Sequence, residues 1–325
     1  MATTGDAAYI KQINRSLILQ KIIEEKMISR AELSKVTALT RATISVQAAD
    51  LLDKELIVET QHEHYSVGRR PIMLSINRQA GYVLGIDLDY GAMTFALSDL
   101  LGKPITLETV PLTSSDYDYV MQTAAKNIER FQSQCENSRY GLINVVIGVH
   151  GLVTLDEHVH FVPRLGWSDI SLKEDLERAT NLPIMLENNA NLCSFAERVY
   201  EHHEAKNLLG TSLSSGIGLG IMMNESFFKG ENGFAGEAGH MVIVPNGKAC
   251  SCGNKGCWEQ YSSESAFFRE LAAKKGRKEV SYQDVHEWLQ AKDYLSLDCF
   301  QDTLNTILAG IGTQYNIRFK EQFNL

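Results

Sequence analysis

The sequence predicts an α/β protein that begins with a winged helix-turn-helix and continues as a larger body of two α/β lobes. Three observations lead to this prediction: amphipathic helical patterns over the first 56 residues, short β-like segments directly after them, and strands that alternate with helices between residues 80 and 190. A chain of 325 residues is long enough for two or three such units. We divide it into an N-terminal unit (1–79), a first lobe (80–187) and a second lobe (188–325).

Three helices are predicted before residue 56. Apolar residues recur at helical spacing from residue 8 to residue 26, and we expect one helical face to carry Ile10, Ile13, Leu17, Ile18 and Ile22. Ser29 with Glu32 three residues later is the pattern of a capping box, which predicts a short helix that ends near Val36. Thr40 can cap the next helix. Two short helices joined by a tight turn, with a third before them, indicate a helix-turn-helix.

The charged stretch QHEHYSVGRRP separates two β-like segments, IVET and IMLSI, and predicts a wing with a basic tip. In a helix-turn-helix the start of the recognition helix meets base edges, and the candidates here are Arg41, Thr43, Ser45 and Gln47. Ala42 and Val46 are expected to touch thymine methyl groups. Arg69 and Arg70 would contact phosphates or the minor groove. The alternative is a protein-interaction hairpin in which Arg69 and Arg70 are a solvated turn.

The charge is unevenly distributed along the chain. Lys and Arg number 31 and Asp and Glu number 40, so the net charge is 31 − 40 = −9. Residues 1–79 hold 11 basic and 9 acidic side chains (+2), which leaves 20 − 31 = −11 for the remainder. The acidity therefore belongs to the two lobes and does not exclude DNA as a partner of the N-terminal unit. Without an 18-residue apolar run or a secretory signal, we expect a cytoplasmic protein without a membrane partner.

The spacing His240-x9-Cys250-x-Cys252-x4-Cys257 predicts a metal site. Three thiolates and one imidazole complete a tetrahedral Zn²⁺ site with no position open for water, so the zinc is expected to be structural. Glu237 and Glu259 flank the cluster, and paired carboxylates on a rigid loop suit sugar hydroxyls, with a solvated acidic surface as the alternative. The remaining cysteines are expected to be small buried side chains: Cys135, Cys193 and Cys299.

The glycine-rich run from Ser214 to Gly220 allows two interpretations. It could cradle a phosphate, or it could be a tight β-turn in which glycines permit close backbone approach. Strand-like residues follow it instead of a helix, which disfavours a dinucleotide-binding fold.

Several stretches together resemble one known family: ISRAELSKVTALTRATIS, GRRP, GLVT, LGW, LENNAN, SSGIGLGI, GENGFAGEAGH and CSCGNKGCWE. They are similar to the ROK family (repressors, open reading frames and kinases), specifically to its sugar-responsive repressors, those of xylose metabolism among them. The resemblance implies a two-lobed actin-like ATPase and sugar-kinase (ribonuclease H-like) body with ligand between the lobes. It also implies zinc at His240, Cys250, Cys252 and Cys257. The sugar site that it implies contains Asn188, Asn189, Glu237, His240 and Glu259.

Departures from the kinase pattern predict that the chain is not an enzyme. Kinases of the family carry Asn-Asp-Ala-Asn where this chain has Asn188-Asn189-Ala190-Asn191, and an amide cannot act as a general base. Asn189 can still bind a sugar hydroxyl. The first phosphate motif, Asp-x-Gly-Gly-Thr-Lys in kinases, reads Asp87-Leu88-Asp89-Tyr90-Gly91-Ala92 here. The alternative is an ATP-dependent ROK sugar kinase with an accessory DNA-binding domain.

Two further departures concern the ligand and the end of the chain. His150 and Arg164 replace a proline and an asparagine of the family pattern, and either shift specificity toward a charged sugar or are neutral. The family continues beyond AGIGTQYNIRF with a buried strand and helices, whereas this chain stops at EQFNL, so the second lobe is expected to be short. The resemblance implies a homodimer or dimer of dimers that represses carbohydrate genes at double-stranded operator DNA and responds to a sugar effector.

Overall fold

The structure is a computed structural model that describes the backbone of residues 7–61 and 72–315, with side chains from 8 to 60 and from 72 to 307. The predicted wing residues Arg69 and Arg70 lie outside the described residues, as does the segment from 316 to the end. None of the helices in the described part of the chain has the length and apolar character needed to span a membrane.

The N-terminal unit consists of three helices and a small antiparallel sheet. The helices are α1 (Ala7–Glu25), α2 (Arg30–Val36) and α3 (Arg41–Asp53). The strands are β1 (Ile28–Ser29), β2 (Ile57–Gln61) and β3 (Ile72–Ile76), in the order β1-β3-β2. Buried apolar residues from all three helices and all three strands form one core. The predicted helices and the two predicted strands are therefore present over the described residues.

The caps that the sequence predicts for α2 and α3 are formed. Ser29 Oγ accepts the backbone N–H of Glu32, and Glu32 Oε2 accepts the backbone N–H of Ser29, each at 3.2 Å. Thr40 Oγ1 accepts the N–H of Thr43 at 3.1 Å. Each cap satisfies amide groups that the first helical turn leaves unpaired, which sets the start of the helix at the cap.

The apolar face predicted for α1 is only half buried. Ile18 and Ile22 are fully buried, whereas Ile10 and Ile13 are exposed. The apolar core of the N-terminal unit includes α1 residues only from Ile18 onward, while the first half of α1 contacts α3 through ion pairs of Lys11 and Arg15 with Asp50. Helical periodicity locates such a face, but the packing partners decide how much of it is buried.

The first lobe is a mixed five-stranded sheet covered on one face by two helices. Its strands, in the order β11-β7-β4-β5-β6, are β4 (Tyr82–Asp89), β5 (Ala92–Asp99), β6 (Pro104–Pro111), β7 (Leu142–Val149) and β11 (Ile184–Asn188). A three-stranded antiparallel sheet follows β7: β8 (Leu152–Val153), β9 (Val159–Val162) and β10 (Trp167–Ile170). The helices α4 (Tyr117–Gln134) and α5 (Leu172–Thr180) bury their apolar stripes against the sheet.

The second lobe begins at the end of β11. Its helices are α6 (Asn189–Tyr200), α7 (Glu259–Ser262), α8 (Glu264–Lys275), α9 (Tyr282–Gln290) and α10 (Tyr294–Tyr315). Its sheet contains β12 (Leu208–Leu213), β13 (Ile217–Met223) and β14 (Ser226–Phe227). The sequence pattern predicted helices near α6, α8 and α10, but not α9. It also predicted Cys193 as buried, whereas α6 presents this side chain at the surface.

Candidate functional site

A cavity of about 530 Å³ lies between the two lobes. This volume is within the range of about 300–1,000 Å³ that is typical of small-molecule sites. All five residues of the predicted sugar site line it: Asn188, Asn189, Glu237, His240 and Glu259. Residues as far as 71 positions apart in sequence (259 − 188) meet here. β11 and α6 form one wall, and the loop before the 3-10 helix Ala238–His240, together with α7, forms the other.

The four predicted metal ligands converge beside this cavity. The ligand atoms of His240, Cys250, Cys252 and Cys257 all lie within 4.8 Å of one another. A tetrahedral zinc ion requires S···S edges of about 3.8 Å and S···N edges of about 3.5 Å. The Cys252–Cys257 sulfurs are 3.6 Å apart, and Cys250 Sγ lies 3.5 Å from His240 Nδ1. The donor set and its spacing therefore fit a tetrahedral ion such as zinc.

Burial raises the pKa of two free thiols of this cluster, those of Cys250 and Cys257. Burial, together with the hydrogen bonds that the protonated thiol makes with Cys252 and Cys250, raises the pKa of Cys257 to about 12. A bound cation reverses this effect, because a thiol that ligates zinc is deprotonated outright. The cluster is thus expected to bind a metal with the release of protons.

His240 faces the metal cluster and the cavity with different ring nitrogens. Its Nδ1 is directed to Cys250 and lies 3.7 Å from Glu259 Oε1, while its Nε2 lies 3.9 Å from Glu237 Oε2. One side chain can therefore ligate a metal and present an N–H to a ligand, as the two predictions for His240 require. Burial raises the pKa of Glu237, an effect that His240 opposes and Glu259 reinforces.

Asn188 shapes the cavity wall more than it offers contacts to a ligand. It is the N-cap of α6, where its Oδ1 accepts the N–H of Ala190 at 2.8 Å and that of Asn191 at 3.4 Å. Its Nδ2 donates to the carbonyl of Gly151 at 2.9 Å. A primary amide has two N–H donors, so one remains for a sugar hydroxyl.

Asn189 is held by a carboxylate from the end of β4. Asp87 Oδ1 accepts a hydrogen bond from Asn189 Nδ2 at 2.8 Å and lies 2.9 Å from His150 Nε2. Burial lowers the pKa of His150, but the hydrogen bond to Asp87 and the charges of Asp87 and Asp89 raise it more, so its net pKa is raised. These contacts join the ends of β4 and β7 to the start of α6 at the cavity wall, which His150 and Asn189 line.

The glycine-rich run is the end of a β-hairpin packed against α6. A Cβ on Gly218 would lie 2.5 Å from the Cβ of Ala190, and a Cβ on Gly220 would lie 2.6 Å from the carbonyl oxygen of Ala190. These two glycines thus permit the close approach of β13 to α6. Ser214, Ser215 and Gly216, in the turn itself, line the cavity.

The predicted DNA-contact residues on α3 do not share one environment. Arg41 and Ser45 are exposed, and Thr43 is half-buried with its hydroxyl 2.9 Å from that of Thr40. Gln47 is only 5% exposed, so its placement on the base-reading face is wrong. It lies three residues after Ile44 and therefore falls on the buried stripe of the helix, where its Oε1 has no partner among the described residues.

Two residues of α8 were not expected from the sequence: one lines the cavity and the other contacts a cavity residue of the first lobe. Arg269 lines the cavity, and Ser265 accepts a hydrogen bond from Arg164 of the first lobe. Neither residue belongs to a motif. The sequence indicated them only weakly, as two polar residues four positions apart on a helix that is otherwise apolar on its buried side.

The ROK family model matches residues 83–320. The xylose repressor of Bacillus subtilis (strain 168) is 37% identical over 301 residues, an alignment that covers 92% of this chain and 77% of that protein. The chain belongs to the ROK family.

Solved ROK structures share this architecture. A ROK family transcriptional regulator, a homolog of the E. coli MLC protein, matches with a TM-score of 0.76 and 28% identity over 94% of this chain and 80% of its own. A ROK glucokinase from Streptomyces griseus, solved with glucose and AMPPNP, matches with a TM-score of 0.64 and 25% identity over 73% of this chain and 80% of its own. The predicted family, the α/β fold that ROK regulators share with sugar kinases and the predicted class of transcriptional repressor are confirmed.

Proposed function

We propose that this ROK protein represses carbohydrate-utilisation genes by binding operator DNA through a winged helix-turn-helix in residues 1–79. Its interlobe cavity binds a sugar effector and does not phosphorylate it. The observation that carries the proposal is the presence, in one chain, of an exposed helix face on α3 and a cavity in which an amide occupies the position of the kinase base. Operator binding implies that the protein works in the cytoplasm.

The exposed face of α3 supports the DNA-binding part of the proposal. Arg41, Ala42 and Ser45 are exposed at its start, and Val46 is 63% exposed although it is apolar. This face offers a guanidinium for guanine, a hydroxyl for base edges and a branched apolar group for a thymine methyl. With Gln47 buried, base reading falls to Arg41 and Ser45, with Ala42 and Val46 as apolar contacts. Arg69 and Arg70 remain proposed backbone or minor-groove contacts.

The chemistry of the cavity supports a sugar as the effector. Glu237 and Glu259 provide carboxylate acceptors, His240 provides a ring nitrogen, and Asn189 provides an amide, all from different elements that line one cavity. Such a set pairs with several hydroxyl groups in fixed directions, which suits a carbohydrate more than an apolar ligand. The identity to the xylose repressor makes D-xylose the first effector to test.

The surroundings of Asn189 support a cavity without kinase activity. A general base must accept a proton from the attacking hydroxyl, and the amide of Asn189 lacks that capacity while donating its N–H to Asp87. Loss of general-base catalysis alone lowers a rate by about 10²- to 10⁴-fold. The zinc that we propose at His240, Cys250, Cys252 and Cys257 is structural, because its four protein ligands leave no open position for a reacting group.

Repression and its relief follow from two arrangements of the lobes. In a homodimer, or a dimer of dimers, the two α3 helices would occupy half-sites about 34 Å apart or at multiples of this distance on a pseudo-palindromic operator. A sugar that binds one lobe arrangement more tightly shifts the population toward it and misplaces the paired helices. A coupling free energy of about 1–3 kcal/mol changes operator affinity roughly 5- to 150-fold, which is enough for induction.

Selection of DNA fragments by the purified protein, followed by elution with a panel of sugars, tests the proposal. We expect enrichment of one pseudo-palindromic sequence and its release by at least one sugar. Selection of no sequence would overturn DNA binding, and an operator affinity that no sugar changes would overturn sugar sensing.

The glucokinase match favours one alternative, an ATP-dependent sugar kinase that carries a DNA-binding unit. A coupled assay for ADP release with the same sugar panel separates the two functions. Turnover by the wild type that Asn189→Ala abolishes would establish the kinase, whereas we expect no release above background.

A further inference from the structure

Cys252 differs in its exposure from the other two thiols of the metal cluster. Cys250 is only 9% exposed and Cys257 is fully buried, whereas Cys252 is half-buried and lines the interlobe cavity. Nothing lies within 4 Å of the position that a Cβ would take on the neighbouring Gly253, so this side of the loop is open. A small molecule in the cavity therefore reaches Cys252 before it reaches the other two thiols.

A second, buried sulfur lies beside Cys252. Sγ of Cys257 is 3.6 Å from Sγ of Cys252. Cys250 Sγ has other neighbours, because it lies 3.3 Å from Glu259 Oε1 and 3.5 Å from His240 Nδ1. The S–S bond of a disulfide is about 2.05 Å long, so an approach of about 1.5 Å joins the sulfurs of Cys252 and Cys257.

A metal ion in the cluster makes Cys252 a nucleophile. The thiolate and not the thiol attacks an oxidant, and a thiol that ligates zinc is deprotonated outright. Three thiolates outnumber the charge of a divalent ion, so the loaded cluster keeps an excess of negative charge. Cys193 provides a contrast within the same chain. Its thiol is exposed, but burial of part of the group and the charge of Asp87 raise its pKa, so it stays protonated at neutral pH.

We propose that Cys252 and Cys257 are an oxidation site, at which a hydroperoxide that enters the interlobe cavity forms a disulfide and causes release of the metal. This inference rests on the proposed zinc site. The Cys252 thiolate attacks the terminal oxygen of ROOH, the O–O bond breaks, a sulfenic acid forms and RO⁻ leaves. The Cys257 thiolate then attacks the sulfenic sulfur, the S–S bond forms, the S–O bond breaks and hydroxide leaves. The two sulfurs lose the two electrons that the peroxide oxygens gain.

Disulfide formation and sugar binding oppose each other. The disulfide removes two of the four ligands, and the remaining pair, His240 and Cys250, no longer retains the ion in a closed tetrahedral site. A sugar in the cavity covers the route to Cys252, because the proposed sugar contacts His240 and Glu259 line the same cavity. The bound effector therefore protects the thiol pair from oxidation.

Treatment of the zinc-loaded full chain with hydrogen peroxide at neutral pH tests the oxidation site. A chromogenic chelator measures the zinc released, and mass spectrometry of peptides after alkylation of free thiols locates the disulfide. We expect release of about one zinc ion per chain together with a Cys252–Cys257 link, both reversed by dithiothreitol and fresh zinc. Cys193→Ser is the matched control and should release zinc at the wild-type rate, because this thiol is outside the cluster.

Cys252→His separates metal binding from oxidation. Two cysteines and two histidines also form closed zinc sites, but this variant lacks the sulfur that the peroxide attacks. We expect the variant to bind zinc and to lose peroxide-driven release. If it does not fold or load zinc, peptide mapping of the oxidised wild type decides the test.

Protection by sugar tests the route through the cavity. A sugar that binds in calorimetry, with D-xylose as the first to test, leaves about one cavity in eleven empty at about ten times its Kd. Zinc release should therefore be about tenfold slower with this sugar, whereas a sugar that does not bind in calorimetry should leave the rate unchanged.

The outcomes separate the oxidation site from the proposed function. Zinc that stays bound under peroxide, or that leaves without a Cys252–Cys257 link, overturns the oxidation site, and so does an unchanged rate with a bound sugar. None of these results contradicts DNA binding or sugar sensing. A wild type purified without zinc overturns the proposed metal site and this inference with it. Failure of every sugar to bind overturns sensing, and zinc release with peptide mapping then decides the oxidation site.

Discussion

Nε of Arg78 lies 2.8 Å from Oδ2 of Asp99, and this ion pair joins the N-terminal unit to the first lobe. Asp99 is buried at the end of β5, where its Oδ1 accepts the backbone N–H groups of Leu101 and Lys103, each at 3.0 Å. Nearby, the hydroxyl of Tyr140 in the first lobe donates to the carbonyl of Lys54, just after α3, at 2.9 Å. The first lobe thus contacts the N-terminal unit at two points, one of them the C-cap of α3.

Arg78→Gln is expected to weaken the coupling between sugar and operator more than it weakens either binding alone. It removes the ion pair at the joint but changes no residue of the cavity or of the exposed α3 face. We expect the ratio of operator affinities without and with saturating sugar to fall by about fivefold, equivalent to about 1 kcal/mol of coupling. Gel-shift titration without sugar and with saturating sugar measures this ratio.

Arg130→Gln is the matched control for this joint. Arg130 also forms a surface ion pair, at 2.6 Å with Glu108, but within the first lobe. We expect the control to leave the coupling unchanged, because exposed ion pairs contribute little. A coupling that is as strong in Arg78→Gln as in the control would show that the joint does not transmit the signal.

Cys252→Ser is expected to abolish metal binding and destabilise the second lobe. The purified wild type should contain about one zinc ion per chain, because the four ligand atoms complete one closed tetrahedral site. Loss of even ~2 kcal/mol would lower Tm by roughly 5 °C. Cys193→Ser, at an exposed thiol outside the cluster, is the control. Metal analysis and thermal melting check the prediction, and an unchanged zinc content in Cys252→Ser would contradict it.

Gln47→Leu and Arg41→Ala, both on α3, are expected to differ in their effect on operator affinity. Gln47 is buried with an unpaired Oε1, so an apolar side chain of similar size should leave operator affinity within about twofold and keep or raise Tm. Arg41→Ala removes an exposed guanidinium at the start of α3 and should cost about 1–3 kcal/mol of operator binding. Gel-shift titration and melting separate the two. Loss of DNA binding in folded Gln47→Leu would restore this residue as a base contact.

His150 is expected to make stability depend on pH. The pKa of His150 is raised because its hydrogen bond to Asp87 and the charges of Asp87 and Asp89 outweigh burial and the repulsion of Arg164. A histidine with a raised folded-state pKa binds its proton more tightly when folded. Its stabilisation is therefore fully present below about pH 6.5 and is lost as the pH rises through the folded pKa.

The matching experiment compares the wild type with His150→Gln in denaturant titrations across this pH range. The free energy of unfolding of the wild type, relative to the variant, should be largest at acidic pH and decrease toward alkaline pH. His160→Gln, which changes a surface histidine paired with Asp169 at 2.7 Å, controls for the general titration of histidines. A difference that is constant with pH, or that grows with pH, would contradict the prediction.

Features that depend on neighbours in sequence were predictable before the structure was known. The capping box at Ser29 and the cap at Thr40 are local, since each involves groups three residues apart. The metal cluster was also recognisable, because Cys250, Cys252 and Cys257 lie within eight residues and few other arrangements use such spacing.

Features that depend on packing were predicted less well. Helical periodicity placed Ile10 and Ile13 on an apolar face, but both side chains are exposed and lie outside the apolar core. Gln47 was expected to face DNA because it is polar and close to Arg41. It lies instead on the buried stripe of α3 that begins at Ile44, and so faces the core. Residue type alone does not reveal which side of a helix a neighbouring element covers.

By itself the sequence determined the caps of α2 and α3, the close spacing of the His and Cys residues of the candidate metal site and the presence of an amide at Asn189, because these are matters of residue type and local spacing. Only the tertiary structure decided that Asp87 holds Asn189, that Arg78 ties the N-terminal unit to Asp99, and that Arg164 of the first lobe donates to Ser265 of α8. Those pairs are separated by 102, 21 and 101 positions along the chain. Their meeting depends on how sheets and helices pack, and packing is a property of surfaces that no single segment contains.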